Sequence, residues 1–360
     1  MKKYSSLIYL CIALAFVSCT DDEKDSLGDN FDQSAMLTNL AQNVFLPNYE
    51  ALEEEVETLQ AEWNTFKSSK VASDFTKMSE QFRTAYTTYQ SINYLDLGPA
   101  ANVALRNNFN TFPTDTTQIN SNIQSGNYNI NTLSSYPQKG FPALDYLFFS
   151  TSPNQLINKL NDANFVAYID ALINDMVLSA ATVYNDWNTN YAATFSQKTG
   201  SDIGSSLGML TNTWNQHYER NFRDGKIGIP VGIRSLGLPL PEKTEAYFSG
   251  ISSDLVMKNL EEMEKMYLGV GNDGINRSSF DDYLLSAEAA ELDNRIKNQF
   301  LVAKTALNKI KSGRLSDQIV NNQSEVEAAY FELQKLILLI KVELPSRLGI
   351  LITYQDNDGD

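Results

Sequence analysis

Apolar residues step along much of this chain at helical spacing. Leu52, Val56, Leu59, Trp63 and Phe66 advance by 4, 3, 4 and 3 positions, which puts all five on one helix face. Pro47 stands upstream in the same segment, where it is expected to kink or interrupt the helix. Phe82, Tyr86 and Tyr89 carry the stepping into a second helix. The period returns over about 156–188, through Ile169, Leu172, Ile173, Met176, Ala180, Val183 and Trp187. Further helices are expected over about 201–223, 252–268, 280–311 and 317–343. Ser279, with Asp282 three residues on, has the form of an N-cap. In the last helix Val326, Tyr330, Leu333, Ile337, Ile340 and Leu344 advance by 4, 3, 4, 3 and 4, and Pro345 is expected to end it.

Two stretches break the pattern. Residues 98–140 hold Gly98-Pro99, Pro113, Gly126, Pro137 and Gly140 among many Asn and Thr, which is loop chemistry with room for short helical turns. Residues 225–250 hold Gly225, Gly228, Pro230, Gly232, Gly237, Pro239 and Pro241, and loops this long often carry function. The apolar piece Ile227–Ile233 is short enough to pair as a small hairpin, but no sustained strand alternation occurs. The expected fold is therefore all-α, with two packed helical-bundle domains, residues 35–190 and 191–360, each carrying a long irregular loop.

The first residues read as an address. Met1-Lys2-Lys3 is a basic start and Leu7–Val17 an apolar run of signal-peptide length, too short to anchor as a spanning helix. Phe16-Val17-Ser18-Cys19 is similar to a bacterial lipobox, so 1–18 is expected to be removed and Cys19 to carry lipid. Residues 19–34 then form an acidic tether, whose Asp21-Asp22-Glu23 resembles the surface-export signal of Bacteroidetes lipoproteins. Asp25-Ser26-Leu27 and Asp115-Thr116-Thr117 resemble the O-glycosylation acceptor of that phylum. The expected location is the outer membrane, on the cell surface, held by acyl chains. Beyond the leader, no segment is expected to be long and apolar enough to span.

Composition removes several chemistries. The 360 residues hold 44 Asp and Glu against 28 Lys and Arg, a net charge of -16, which repels phosphate backbones and argues against nucleic acid as a partner. One His and two Cys, Cys11 and Cys19, exclude a His-rich zinc site, a disulfide framework and a Cys/His catalytic pair. Glu53-Glu54-Glu55 reads as a solvated helix face. Asp356-Asn357-Asp358-Gly359-Asp360 alternates oxygen donors like the start of a calcium loop, without a closing Glu, and reads as a solvated tail. Gly269–Gly274 lacks the Lys-Ser/Thr of a phosphate loop, and Ser205-Ser206 has no His/Asp partner in view.

Several segments, in order, resemble the imelysin family, also called M75 peptidases. They are Asn43-Val44-Phe45-Leu46-Pro47-Asn48-Tyr49, Phe82-Arg83 to Tyr89 with Leu97-Gly98-Pro99, and Lys139-Gly140-Phe141-Pro142-Ala143-Leu144-Asp145-Tyr146. Lys226-Ile227-Gly228-Ile229-Pro230-Val231-Gly232 and Leu348-Gly349-Ile350 complete the set, so the resemblance runs from about 35 to 360. It implies two helical bundles, a site between them, and a cell-envelope role linked to iron or haem uptake and its partner proteins.

The family signature Gly-x-His-x-x-Glu is altered here. Gly140 is kept, but Pro142 stands at the His position and Asp145 at the Glu position, while Asn93 replaces a Glu often found in the second helix. His and Glu three apart share a helix face and can both reach a metal. Proline offers no donor, and Asp is a methylene shorter. The metal chemistry is therefore expected to be lost or altered, with no catalytic residue and no metal ligand set assigned. The candidate ligand-binding residues are Asp145, Asn93, Tyr89, Tyr146 and His217, with Tyr94 close by. His217, flanked by Gln216 and Glu219, is expected to be a partly exposed helical residue, the alternative being a substitute ligand across the domain interface. The leading reading is a non-enzymatic surface lipoprotein that binds a ligand such as a metal or haem. Its rivals are a divergent metallopeptidase using Asp145 and a glycan-binding surface lipoprotein.

Overall fold

The structure, a computed structural model, describes residues 31–354. The expected signal peptide, the lipid on Cys19, most of the tether and the acidic tail from Asp356 lie outside the described residues. The first helix starts at Gln33, inside the expected tether, because Asp32 caps it by accepting from the Ala35 amide at 2.8 Å. Phe31 stacks on Tyr283 at 4.4 Å, so the chain entering this helix is already packed on the second half.

Four helical runs pass through wider, π-type turns: Leu40–Phe45, Trp187–Tyr191, His217–Gly228 and Leu338–Glu343. In three of them a proline stands two residues beyond the last wide turn, at Pro47, Pro230 and Pro345. Proline has no amide for the carbonyl four residues back, and its ring crowds that carbonyl. The wide turn removes the conflict by shifting bonding one residue further: Leu46 donates to Ala41, Ile229 to Asp224 and Leu344 to Leu339. Pro345 therefore does not end the last helix, contrary to expectation. The chain continues helically to Leu348 and stops at Gly349, whose φ of +66° supplies the left-handed cap.

In the first half, helices Leu46–Ser69, Ala72–Tyr89 and Ala163–Asp186 pack around the short helix Gly140–Phe149. Their shared face is aromatic: Trp63 meets Phe148 at 5.7 Å, and Phe82 meets Phe141 at 6.0 Å. Burying each such ring contributes roughly 2–3 kcal/mol. In the second half, Ser206–Gln216, Ser252–Leu268, Ala290–Lys309 and Gln323–Ile337 form the other bundle. Ser279 does cap the helix Phe280–Ser286, with its amide donating back to Asp282 at 3.2 Å. The helix expected over 280–311 is broken at Ala287–Ala289, where Glu288 adopts a φ of +54°.

Three further expectations change. Position 190/191, the expected division between domains, lies inside a continuous helix, Ala163–Gln197. That helix is also long and apolar enough by composition to cross a membrane, contrary to expectation. Its apolar residues serve the core instead, with Tyr168, Ile169, Leu172 and Val183 fully buried. Ile227–Ile233 forms no hairpin but continues the helical path through Ile229–Val231. Among the described residues there is no strand, only an isolated bridge between Val270 and Asn276.

The loop 98–140 is built of short helices: Pro99–Asn102, Leu105–Asn110, Thr116–Ser125 and a 3-10 turn at Leu133–Gln138. Asp115, in the triplet resembling a glycosylation acceptor, caps one of them by accepting from Gln118 at 2.9 Å.

Candidate functional site

A buried polar network crosses between the halves where the helix Ala72–Tyr89 ends. Lys226 contacts the Glu245 carboxylate and donates to Gln90 Oε1 at 2.8 Å. Asn93 donates to the same Gln90 oxygen at 2.6 Å, and Asn110 donates to Glu245 at 2.7 Å. Asn259 donates to Asn93 Oδ1 at 2.6 Å and to the Gln90 carbonyl at 2.9 Å, and its own oxygen meets His217 Nε2 at 2.8 Å. Burial lowers the Lys226 ammonium from its ordinary value, with Glu245 opposing the shift. A pair this deeply buried is held by its hydrogen bonds as much as by charge.

Beside the network lies a cavity of about 300 Å3. Tyr89, Asn93, Arg106 and Asn110 line it from the first half, and His217, Arg220, Asn221, Lys226 and Lys243 from the second. The wide-turned segment His217–Gly228 supplies most of the second wall. Four cationic residues and no carboxylate line this cavity, in a chain whose net charge is -16. Arg106 is compensated by Asp96 at 2.6 Å and Lys226 by Glu245. Among the described residues, Arg220 and Lys243 form no ion pair. Tyr89 Oη, Arg106 Nη1, His217 Nδ1 and Asn221 Nδ2 are buried without a hydrogen-bond partner, and all four residues line the cavity. Such groups in a folded protein call for a ligand or ordered water. Burial pushes His217 down to about 3, against its bond to Asn259 and with help from Arg106 and Lys226, so the ring is neutral at physiological pH. Burial likewise raises the Tyr89 phenol, which stays protonated.

The signature segment lies next door. Gly140 has a φ of +72°, and a Cβ there would collide with the carbonyls of Asn108 and Phe109, so the position requires glycine. Asp145 is 1% exposed, and each of its oxygens accepts a backbone hydrogen bond. Oδ2 accepts from the Phe248 amide at 2.8 Å and Oδ1 from the Ser249 amide at 2.9 Å. Burial raises its carboxyl to about 6, with these two amides and Arg83 pulling the other way. Asp145 thus ties the helix Gly140–Phe149 to the loop of the second half. It lines a second cavity of about 300 Å3 with Pro142, which shares Phe112, Pro113 and Lys243 with the first.

The expected site residues therefore separate. Tyr89, Asn93 and His217 line the first cavity and Asp145 the second. Tyr146 lines neither; it is bonded to Asn120 at 2.8 Å and packs on Phe248 at 5.2 Å. Tyr94 is fully buried beside His217, with ring centres 6.4 Å apart. His217 is 1% exposed, a correction to the partly exposed residue expected: it opens the wide-turned segment and packs inward, where Asn259 meets its Nε2. The residues fit a transition metal poorly: Pro142 offers no donor, Asp145 is a lone carboxylate held by two backbone amides, and no three His, Cys, Asp or Glu gather among the described residues.

Sequence reasoning missed Gln90, Arg106, Arg220, Glu245 and Asn259 as site residues. Asn259 left a signal: it stands three after Val256 and four before Met263, a polar residue on an apolar stripe. Lys226, between Gly225 and Ile227-Gly228, is a cation within an apolar run. Glu245 left none, since its burial is set by Lys226, Asn110 and Gln90, partners brought to it by the fold rather than neighbours along the chain.

Together these features define a two-bundle, all-α protein with a polar cavity between its halves. A sequence model of the imelysin (peptidase M75) family matches residues 45–340, and the chain belongs to that family. Two crystal structures share its fold. One is described as an iron-regulated protein A precursor from Parabacteroides distasonis ATCC 8503, at 17% identity and TM-score 0.73, covering 88% of this chain and 95% of that one. The other is an imelysin-like protein from Psychrobacter arcticum 273-4, at 15% identity and TM-score 0.69, covering 90% of this chain and 97% of that one. No curated protein matches.

Proposed function

We propose that this chain is a non-enzymatic binding protein of the cell envelope, anchored in the outer membrane through a lipid on Cys19. It takes a ligand in the cavity between its halves, in the service of iron or haem uptake. The observation that carries this reading is the isolation of Asp145: a carboxylate held by two backbone amides, with no second donor at Pro142 and no cluster of three His, Cys, Asp or Glu among the described residues. A metallopeptidase needs a carboxylate free to ligate, a second ligand beside it and an open position for water. Both Asp145 oxygens are engaged by backbone amides that fix the carboxylate to the facing loop, and Pro142 supplies no second ligand. Residues with unpartnered buried polar atoms instead gather around the neighbouring cavity, which favours binding over catalysis. The Ser18-Cys19 lipobox pattern supports the envelope setting, and the likeness to a protein described as iron-regulated supports the iron setting.

The test is calorimetry and elemental analysis of the full chain in detergent, with ferrous iron, zinc, chelated ferric iron and haemin. A family member retaining Gly-x-His-x-x-Glu is the positive control. We expect haemin or chelated iron to bind, and bare metal not to bind stoichiometrically. Metal-dependent proteolysis that disappears in Asp145→Ala would overturn the reading.

A further inference from the structure

We infer that the cavity between the halves takes a small hydroxylated anion: a carboxylate or phosphate that also presents an O–H donor. This rests on the reading that this cavity is the ligand site. Its charge points to the anion. Arg106, Arg220, Lys226 and Lys243 line it, and no carboxylate does. Arg106 and Lys226 already have acidic partners, whereas Arg220 and Lys243 form no ion pair among the described residues. Two cationic charges are therefore left for a ligand. The hydrogen-bond inventory points the same way: Tyr89 Oη, Arg106 Nη1 and Asn221 Nδ2 are buried donors without acceptors.

The hydroxyl follows from the tautomer of His217, which the network determines. A backbone carbonyl can only accept, so the Asn259 amide nitrogen must face the Gln90 carbonyl. The Asn259 oxygen then faces His217 Nε2 and has to receive its proton. At the other end Lys226 can only donate, which turns the Gln90 oxygen toward it and gives the whole chain one direction. His217 Nδ1 is consequently a bare lone pair, buried and unpartnered in a residue that lines the cavity. Among the unpartnered atoms of this cavity it is the one that can only accept. A fully deprotonated anion would repel it, while a hydroxycarboxylate or hydrogen phosphate would satisfy it together with the donors. The volume of about 300 Å3 suits a ligand of that size.

The experiment is titration of the untagged full chain with citrate and with inorganic phosphate at low salt and neutral pH, by calorimetry and by NMR. His217 is the sole histidine, so its imidazole resonance is a single reporter inside the cavity. Saturable one-to-one binding of either probe, with movement of that resonance, is expected. Citrate alone would assign a carboxylate ligand, and phosphate alone a phosphate. Tricarballylate, which lacks the hydroxyl, should bind about tenfold more weakly than citrate, and sulfate about tenfold more weakly than phosphate. The double variant Arg220→Gln/Lys243→Gln removes no ion pair from the fold and should weaken binding by more than about tenfold. No saturable binding, binding that leaves the His217 resonance unmoved, unchanged affinity in the double variant, or equal affinity for the hydroxyl-free probes would each overturn the inference. Haemin titration in parallel separates the two readings. Haemin binding without citrate or phosphate binding would leave the proposed function standing and remove only the anion. Absence of binding by all three and by chelated ferric iron would remove both.

Discussion

Two cavities of equal size lie side by side at the junction of the halves, and they differ in what their buried polar groups have left to offer. Around Asp145 the one buried carboxylate is held by two amides of the facing loop. Around His217 four buried polar atoms have no partner at all. Both sites contain an ionisable group whose proton affinity burial has shifted, Asp145 upward and His217 downward. A perturbed titration alone therefore does not separate a binding site from a structural clamp. Unused hydrogen-bonding capacity does.

The largest effect should come from the network that walls the first cavity. Glu245→Ala strands Lys226 in the interior and removes the acceptor of Asn110. We expect a loss of about 3–5 kcal/mol by urea denaturation, the usual cost of breaking a buried pair on one side. The double change Lys226→Met/Glu245→Leu should recover much of it. A loss below about 1 kcal/mol in the single variant would show that the pair does not hold the wall.

Asp145 gives a smaller and pH-dependent effect. Its carboxyl sits at about 6 in the fold, above the ordinary value of 3.8. The folded state therefore binds the proton more tightly than the unfolded chain between those values. This contribution to stability is present below about pH 4 and is lost as pH rises through about 6, by up to roughly 3 kcal/mol. Asp145→Asn should flatten that slope while leaving citrate and phosphate affinity at the other cavity unchanged. A slope that persists in the variant would assign it to another group; altered anion affinity would join the two cavities into one site.

The smallest effect is an absence of change. The His217 resonance should stay flat from pH 5 to pH 8, because burial pushes that group down to about 3. A titration midpoint near 6.5 would mean that the ring is solvated, and the contrast between the cavities would fail.

Much of the helical framework could be read from the spacing of apolar residues, and Ser252–Leu268 matches its expected span. Prolines were legible as disturbances, but not as disturbances the chain absorbs. At Pro345 the wide turn Leu338–Glu343 carries the helix past it, and nothing local announces that. Of the site, Tyr89, Asn93 and His217 were legible as candidates, but the exposure of His217 was not, since Gln216 and Glu219 beside it are polar. Its inward rotation depends on Asn259, 42 residues away.

By itself the sequence determined the all-α class and, at the signature, a glycine kept at Gly140 and a donor lost at Pro142. These are local: periodicity, donor chemistry and backbone freedom belong to single residues or to neighbours along the chain. Only the tertiary structure decided that Asp145 is a clamp and that the unpartnered groups lie at His217. The partners that settle this lie far along the chain: the amides of Phe248 and Ser249 reach Asp145 from the other half, and the side chain of Asn259 reaches His217 from 42 residues away. The valences left over in a buried group are a property of everything packed against it, and no local pattern contains that.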